Sequence, residues 1–236
     1  MQQSVQTAQI PAPQSAKPKP EPPKAPPQFT EGSIANLDVT GLVAILKDPN
    51  ASEFQKAKAC MRAGELADKQ AVPALAALLP HPRLSTYARY GLEPVADESA
   101  SQALRMALSK VQGELLIGVI NSIGKRRDSK ALPALTKLLY SADANLAQAA
   151  ASAIGKIGGE MAVKELRVAL GKTKGQLQLA IGDAALVCAE QFLAAGKRKE
   201  ALAIYAWLSA PDVPKSVRLA AMHGVIREET SPGRPR

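Results

Sequence analysis

Two copies of one pattern, 31 residues apart, constrain this chain more than any other feature. Residues 115–139 read LLIGVINSIGKRRDSKALPALTKLL, residues 145–170 read NLAQAAASAIGKIGGEMAVKELRVAL, and Ile123-Gly124-Lys125 recurs as Ile154-Gly155-Lys156. Each copy holds an apolar helix, a short turn carrying glycine and charge, and a second helix with leucines three and four apart. A helix pair of this size cannot bury its apolar face alone, so each must stack on a neighbour.

The register extends in both directions. Leu75, Leu104, Leu135 and Leu166 occupy one position at intervals of 29, 31 and 31 residues, and Asp68, Asp97, Asp128 and Gly159 keep the same intervals in the turns. An aspartate just before a helix caps its free amide groups, so these acids have a structural task first. Pro73 and Pro133 fall in the opening turn of second helices, where a missing N–H costs nothing. The array opens with a half repeat near Ile34 and continues with full repeats at 52–79, 84–108, 115–139 and 145–170. A longer fifth follows, with Ala201, Ile204, Tyr205 and Leu208 on one side of its second helix. After Pro211 and Pro214 comes a final helix, SVRLAAMHGVIRE, without a partner helix. Such an end exposes an apolar face unless further chain or a partner covers it. The domain reading is a disordered Pro-rich linker at 1–32, a repeat array at 33–228 and a disordered tail at 229–236.

With 46% apolar residues but only 3% aromatics, the core must be built from Ala, Leu, Val and Ile, and strand-like β-branched runs are missing, so the chain reads as all-α. A net charge of +9 raises nucleic acid or an anionic membrane as partners. The bases are interspersed with acids, however, which favours a solvated basic surface. No apolar run approaches the roughly 20 residues of a membrane span. Cys60 and Cys188 lie about four layers apart, too far for a disulfide, and read as buried small hydrophobes. The Pro-rich opening lacks a signal-peptide pattern, but a tether of this kind before a compact domain favours a periplasmic or otherwise extracytoplasmic location, with a cytoplasmic tail as the alternative.

The unit resembles the bacterial HEAT-like repeat, the short form first noted in phycobilin lyases, in which an Ile-Gly or Leu-Gly step is followed by Asp and an A-x-P-x-L helix. The matching residues are Ile123, Gly124, Asp128, Ala131, Pro133 and Leu135; Ile154, Gly155 and Leu166; and Asp68, Ala71, Pro73 and Leu75. The resemblance implies a right-handed α-solenoid of stacked antiparallel helix pairs, HEAT/armadillo-like. The YARYGLEP and GVINSIGKRRD segments look like those of exported bacterial HEAT-repeat proteins of undefined role. No catalytic residue comes with the resemblance.

Chemistry is sparse. The two histidines, His81 and His223, do not share an element, so no metal spacing arises. The His-Glu steps of HEAT-repeat metalloenzymes of the deoxyhypusine hydroxylase type are missing. Glu93, Asp97 and Glu98, like Glu228 and Glu229, read as helix-end and solubility acids. No catalytic, metal or cofactor site is therefore expected.

Two clusters are candidate partner-binding residues. Lys125, Arg126, Arg127, Lys156, Lys197, Arg198 and Lys199 fall in turns that stacking aligns into one edge, basic toward the C-terminal half and opposite in sign to the acidic turn of the second repeat. Neutralising Arg126, Arg127, Arg198 and Lys199 is expected to leave the fold intact while weakening an acidic partner. Tyr87, Arg89 and Tyr90 form the other cluster, with Arg89 placed to pair with Glu93; core packing is the commoner fate of such tyrosines, as of Trp207. The function expected is a non-catalytic scaffold that binds a protein or peptide, through the face of its second helices or the charged edge. Nucleic-acid binding, in the manner of the alkylpurine DNA glycosylases, and a phycobilin-lyase-like chaperone role are the alternatives.

Overall fold

The computed structural model describes residues 34–230; the expected linker at 1–32 and the end of the tail lie outside them. Among the described residues there are twelve α-helices and no strand. They are α1 (Val39–Lys47), α2 (Glu53–Leu66), α3 (Val72–Ala77), α4 (Ser85–Leu92), α5 (Glu98–Ala107), α6 (Gly113–Lys125), α7 (Leu132–Leu138), α8 (Ala144–Ile157), α9 (Gly159–Lys172), α10 (Gly175–Ala194), α11 (Arg198–Leu208) and α12 (Lys215–Thr230). The first helices α2, α4, α6, α8, α10 and α12 pack in succession, and each of α3, α5, α7, α9 and α11 follows its own first helix. Helix α1 takes a second-helix place beside α2 and α3, as a half repeat should.

The matched leucines occupy equivalent slots. Leu75, Leu104, Leu135 and Leu166 lie in α3, α5, α7 and α9 and are fully buried in one continuous apolar cluster. Burying a leucine side chain contributes roughly 1.5–3 kcal/mol, so this spine couples the layers. The turn aspartates cap as expected: Asp68, Asp97 and Asp128 accept from the backbone N–H of Gln70, Ser99 and Lys130 at 2.8, 2.9 and 3.2 Å. Pro73 and Pro133 sit in the first turns of α3 and α7.

The recurring Gly of the Ile-Gly step exists for close approach. A Cβ at Gly124 would lie 2.8 Å from the Ala153 Cα, and one at Gly155 2.8 Å from the Ala184 carbonyl oxygen. Small residues meet at the same level of successive first helices, so α6, α8 and α10 stack with almost no spacer between backbones.

Three expectations change. Helix α12 continues through Thr230, two residues into the expected tail, where Thr230 Oγ1 donates to the Ile226 carbonyl at 2.8 Å. At 20 residues, α10 is long and apolar enough to cross a membrane by length and composition, although no such run was expected. Its place explains its apolarity: it packs on α8, α9, α11 and α12, and Ile181, Ala185, Cys188 and Ala189 are fully buried. Trp207 is only partly buried, with the Arg167 guanidinium 5.9 Å from its ring, whereas Tyr205 fills the core beside it. The two cysteines are buried and free, and burial pushes both thiols up to about 12.

Candidate partner-binding groove at the turn edge

The charged edge is built largely from bonds between layers. Arg126, just past the end of α6, points back at the turn of the preceding layer. One terminal nitrogen donates to the carbonyls of Leu92, Glu93 and Val95 at 2.9, 2.8 and 2.6 Å; the other reaches the Asp97 carbonyl at 3.3 Å, and Nε reaches Ser101 Oγ at 3.0 Å. Burial lowers its pKa, against the opposing pull of Asp128, Glu98 and Glu93, but a guanidinium remains charged. Arg126 is therefore a clasp between layers and not a free ridge residue.

Glu93 also departs from expectation. It accepts from Ser122 Oγ at 2.8 Å and from Lys125 Nζ at 2.5 Å, a contact that raises the lysine pKa. It is a mostly buried interlayer acid, its side chain 13% exposed, rather than a solvated turn charge. Arg89 does not hydrogen-bond Glu93: its guanidinium lies against Gly118 and donates to the Gly118 carbonyl at 3.1 Å and to Ser122 Oγ at 3.3 Å. Burial lowers the Arg89 pKa, with Glu93 opposing. The reason is steric. Helix α6 passes so close that the arginine is held across it, and the acid is left to Ser122 and Lys125. Further along, Arg105 joins the buried Asp128 to Glu98, and Lys130 donates to Glu98 at 3.0 Å.

Tyr87 and Tyr90 are exposed on α4, 39% and 49%, and not core residues. Tyr90 lays one ring edge against Gly64 of α2. The two candidate clusters meet at Lys125: Tyr90 adds to the pull of Glu93 that raises the lysine pKa, and Arg89 shares Ser122 with Glu93.

What remains of the edge converges on an open groove of about 570 Å³ between the turns of the third and fourth layers and helix α10. Lys125, Arg127 and Lys156 stand around it; Leu186, Val187 and Ala194 supply apolar surface, with Glu190 and Gln191 alongside. Arg127 and Lys156 are exposed and form no ion pair among the described residues. Arg127 has a left-handed backbone, φ +53°. Gln191 fixes the floor by donating to the carbonyls of Gly155 and Lys156 at 3.1 and 3.2 Å. An open groove with apolar surface and two unpaired cations, Arg127 and Lys156, on its rim suits a carboxylate-bearing chain that also presents an aliphatic side chain.

The third basic cluster goes elsewhere. Lys197 lies over the Phe192 ring at 5.7 Å, Arg198 donates to the Glu228 carbonyl at 2.6 Å, and Lys199 is exposed on α11. None of the three lines the groove. His81 accepts from the Arg83 and Leu84 amides at 3.3 Å, and His223 is exposed on α12. Among the described residues no three His, Cys, Asp or Glu side chains are placed to share a metal ion.

The cationic rim of the groove lies in the third and fourth layers, which comparison with known families picks out, whereas the α10 wall from Leu186 to Ala194 lies beyond the matched residues. Residues 101–184 match the family model of HEAT repeats. The matched residues run from α5 into α10 and include Lys125, Arg127 and Lys156. No curated protein matches the sequence. Among solved structures, the crystal structure of an engineered protein is similar at 19% identity and a TM-score of 0.47, covering 82% of this chain and 97% of that one. The complex of CpcE and CpcF of phycocyanin lyase from Nostoc sp. PCC7120 is similar at 21% identity and a TM-score of 0.45, covering 92% of this chain and 94% of that one.

Leu186, Val187, Glu190, Gln191 and Ala194 escaped sequence reasoning. Helix α10 is apolar almost all round, so no periodicity separates its exposed Val187 from its buried Cys188.

Proposed function

We propose that this chain is a non-catalytic scaffold that holds an acidic segment of a partner protein in the groove between the third, fourth and fifth layers. One observation carries the reading: Arg127 and Lys156, both exposed and without ion-pair partners, flank the apolar surface of Leu186, Val187 and Ala194. The partner's carboxylates would meet the two cations, and an aliphatic side chain between them would cover Val187, which is 43% exposed. Repeat arrays commonly present extended binding surfaces of this kind, and HEAT repeats within residues 101–184 support a binding role. A rim of flexible cations steers association and is screened by salt, so binding should be fast and ionic-strength dependent.

The test is fluorescence anisotropy with a fluorescein-labelled peptide of Glu-Glu-Leu repeats, alongside a labelled DNA duplex. Binding of the peptide that falls at least tenfold in the Arg127→Glu/Lys156→Glu variant supports the groove. Peptide binding that is indifferent to that variant overturns it, and tighter binding of the duplex than of the peptide would replace a protein partner with nucleic acid.

A further inference from the structure

Glu190 is the only carboxylate on the groove wall among the described residues. Left alone, it would repel an acidic segment and draw the neighbouring cations to itself. It is not left alone. Both of its oxygens accept from an Arg227 terminal nitrogen at 3.0 Å, and Oε1 also accepts from the Tyr205 hydroxyl. Tyr205 is buried in α11, and burial next to Glu190 holds its phenol well above the ordinary range, so it remains a donor. Arg227 comes from α12, the last described helix. That helix is seated on α11 by a flat contact: a Cβ at Gly224 would lie 2.7 Å from the Tyr205 ring. Arg198 fastens it again through the Glu228 carbonyl.

We infer that Arg227 makes the groove selective for anions, by neutralising Glu190 from the C-terminal helix, so that the docking of α12 sets the affinity for an acidic segment. This rests on the groove being the binding site. With Arg227 in place, the wall offers Arg127 and Lys156 against an acid already paired. With α12 displaced, the same wall carries one carboxylate that no cation covers, and its attraction for an acidic chain falls. The binding site thus spans more layers than it touches. A partner or a modification that moves α12 would release a segment held against α10 and the turns that follow α6 and α8.

The experiment uses the same Glu-Glu-Leu peptide with the wild type, Arg227→Gln, Glu190→Gln, the double variant and Arg227→Lys, each checked for helical content and thermal unfolding. Arg227→Gln should bind about five- to tenfold more weakly, as expected when one half-exposed charge is uncovered near a charged ligand. Glu190→Gln should bind more tightly than the wild type, because it leaves the Arg227 charge uncovered beside the groove, and the double variant should return to within about twofold of the wild type, because neither charge of the pair remains. Arg227→Lys keeps the charge and should retain most of the affinity. A double variant as weak as Arg227→Gln would overturn the inference, since Arg227 would then act by placing the helix, and so would Arg227→Gln binding like the wild type. Failure of the groove itself looks different: Arg127→Glu/Lys156→Glu would bind like the wild type, or no protein would bind the peptide, and either result removes the inference with it.

Discussion

A terminal nitrogen of Arg126 lies 2.6 Å from the Val95 carbonyl, in the turn of the layer before its own. The same guanidinium serves the carbonyls of Leu92, Glu93 and Asp97, so one side chain takes up four carbonyls of the second layer's turn. Arg126→Ala should destabilise the protein by about 2–3 kcal/mol in urea unfolding, the range for losing hydrogen bonds to a charged donor and stranding their acceptors. Arg126→Lys should recover little, because one ammonium cannot fan across four carbonyls and a hydroxyl. The four-residue neutralisation that sequence reasoning expected to leave the fold intact should therefore unfold more easily, chiefly through Arg126, with the Arg198 contact to the Glu228 carbonyl lost as well.

Gly155→Ala tests the close stacking of first helices. Its added methyl meets the Ala184 backbone at 2.8 Å, where neither helix has a flexible side chain to yield. A cost of about 1–3 kcal/mol is expected from overpacking, seen as a lower midpoint of thermal unfolding. The same change at Gly171, which has open space, should be near neutral or slightly stabilising.

Ala67 ends α2 with a left-handed backbone, φ +51°. Ala67→Gly removes the steric penalty of that conformation and should stabilise the fold by about 0.5–1 kcal/mol, read from the urea midpoint. A loss of stability would show that the alanine methyl contributes packing worth more than the strain.

The thiols of Cys60 and Cys188, pushed up to about 12 by burial from an ordinary value of 9.0, give a pH dependence of known sign. Between those values the unfolded chain releases thiol protons that the folded chain keeps. Stability should be unaffected by these groups below pH 9 and should fall as pH rises from 9 toward 12, by on the order of 1 kcal/mol per pH unit for each thiol. Cys60→Ala/Cys188→Ala should flatten that decline. The same burial predicts that a thiol reagent reacts with the native protein only as fast as it unfolds.

The sequence by itself determined the layers. A 31-residue recurrence of Ile-Gly-Lys, four leucines in register and three turn aspartates were enough, because each reports a local need: a close helix approach, a buried slot, an uncapped N-terminus. All four leucines are fully buried and all three aspartates cap. Tertiary structure alone decided which charges are spent. Lys125, Arg126, Arg127 and Lys156 look alike as letters, yet Arg126 is consumed by carbonyls 29–34 residues back, Lys125 pairs with Glu93, and only Arg127 and Lys156 are left to the groove. The apolar floor under them was invisible for a related reason. In a helix apolar on every side, exposure is set by where its neighbours stop, and that distance belongs to the stack and not to the residues of α10.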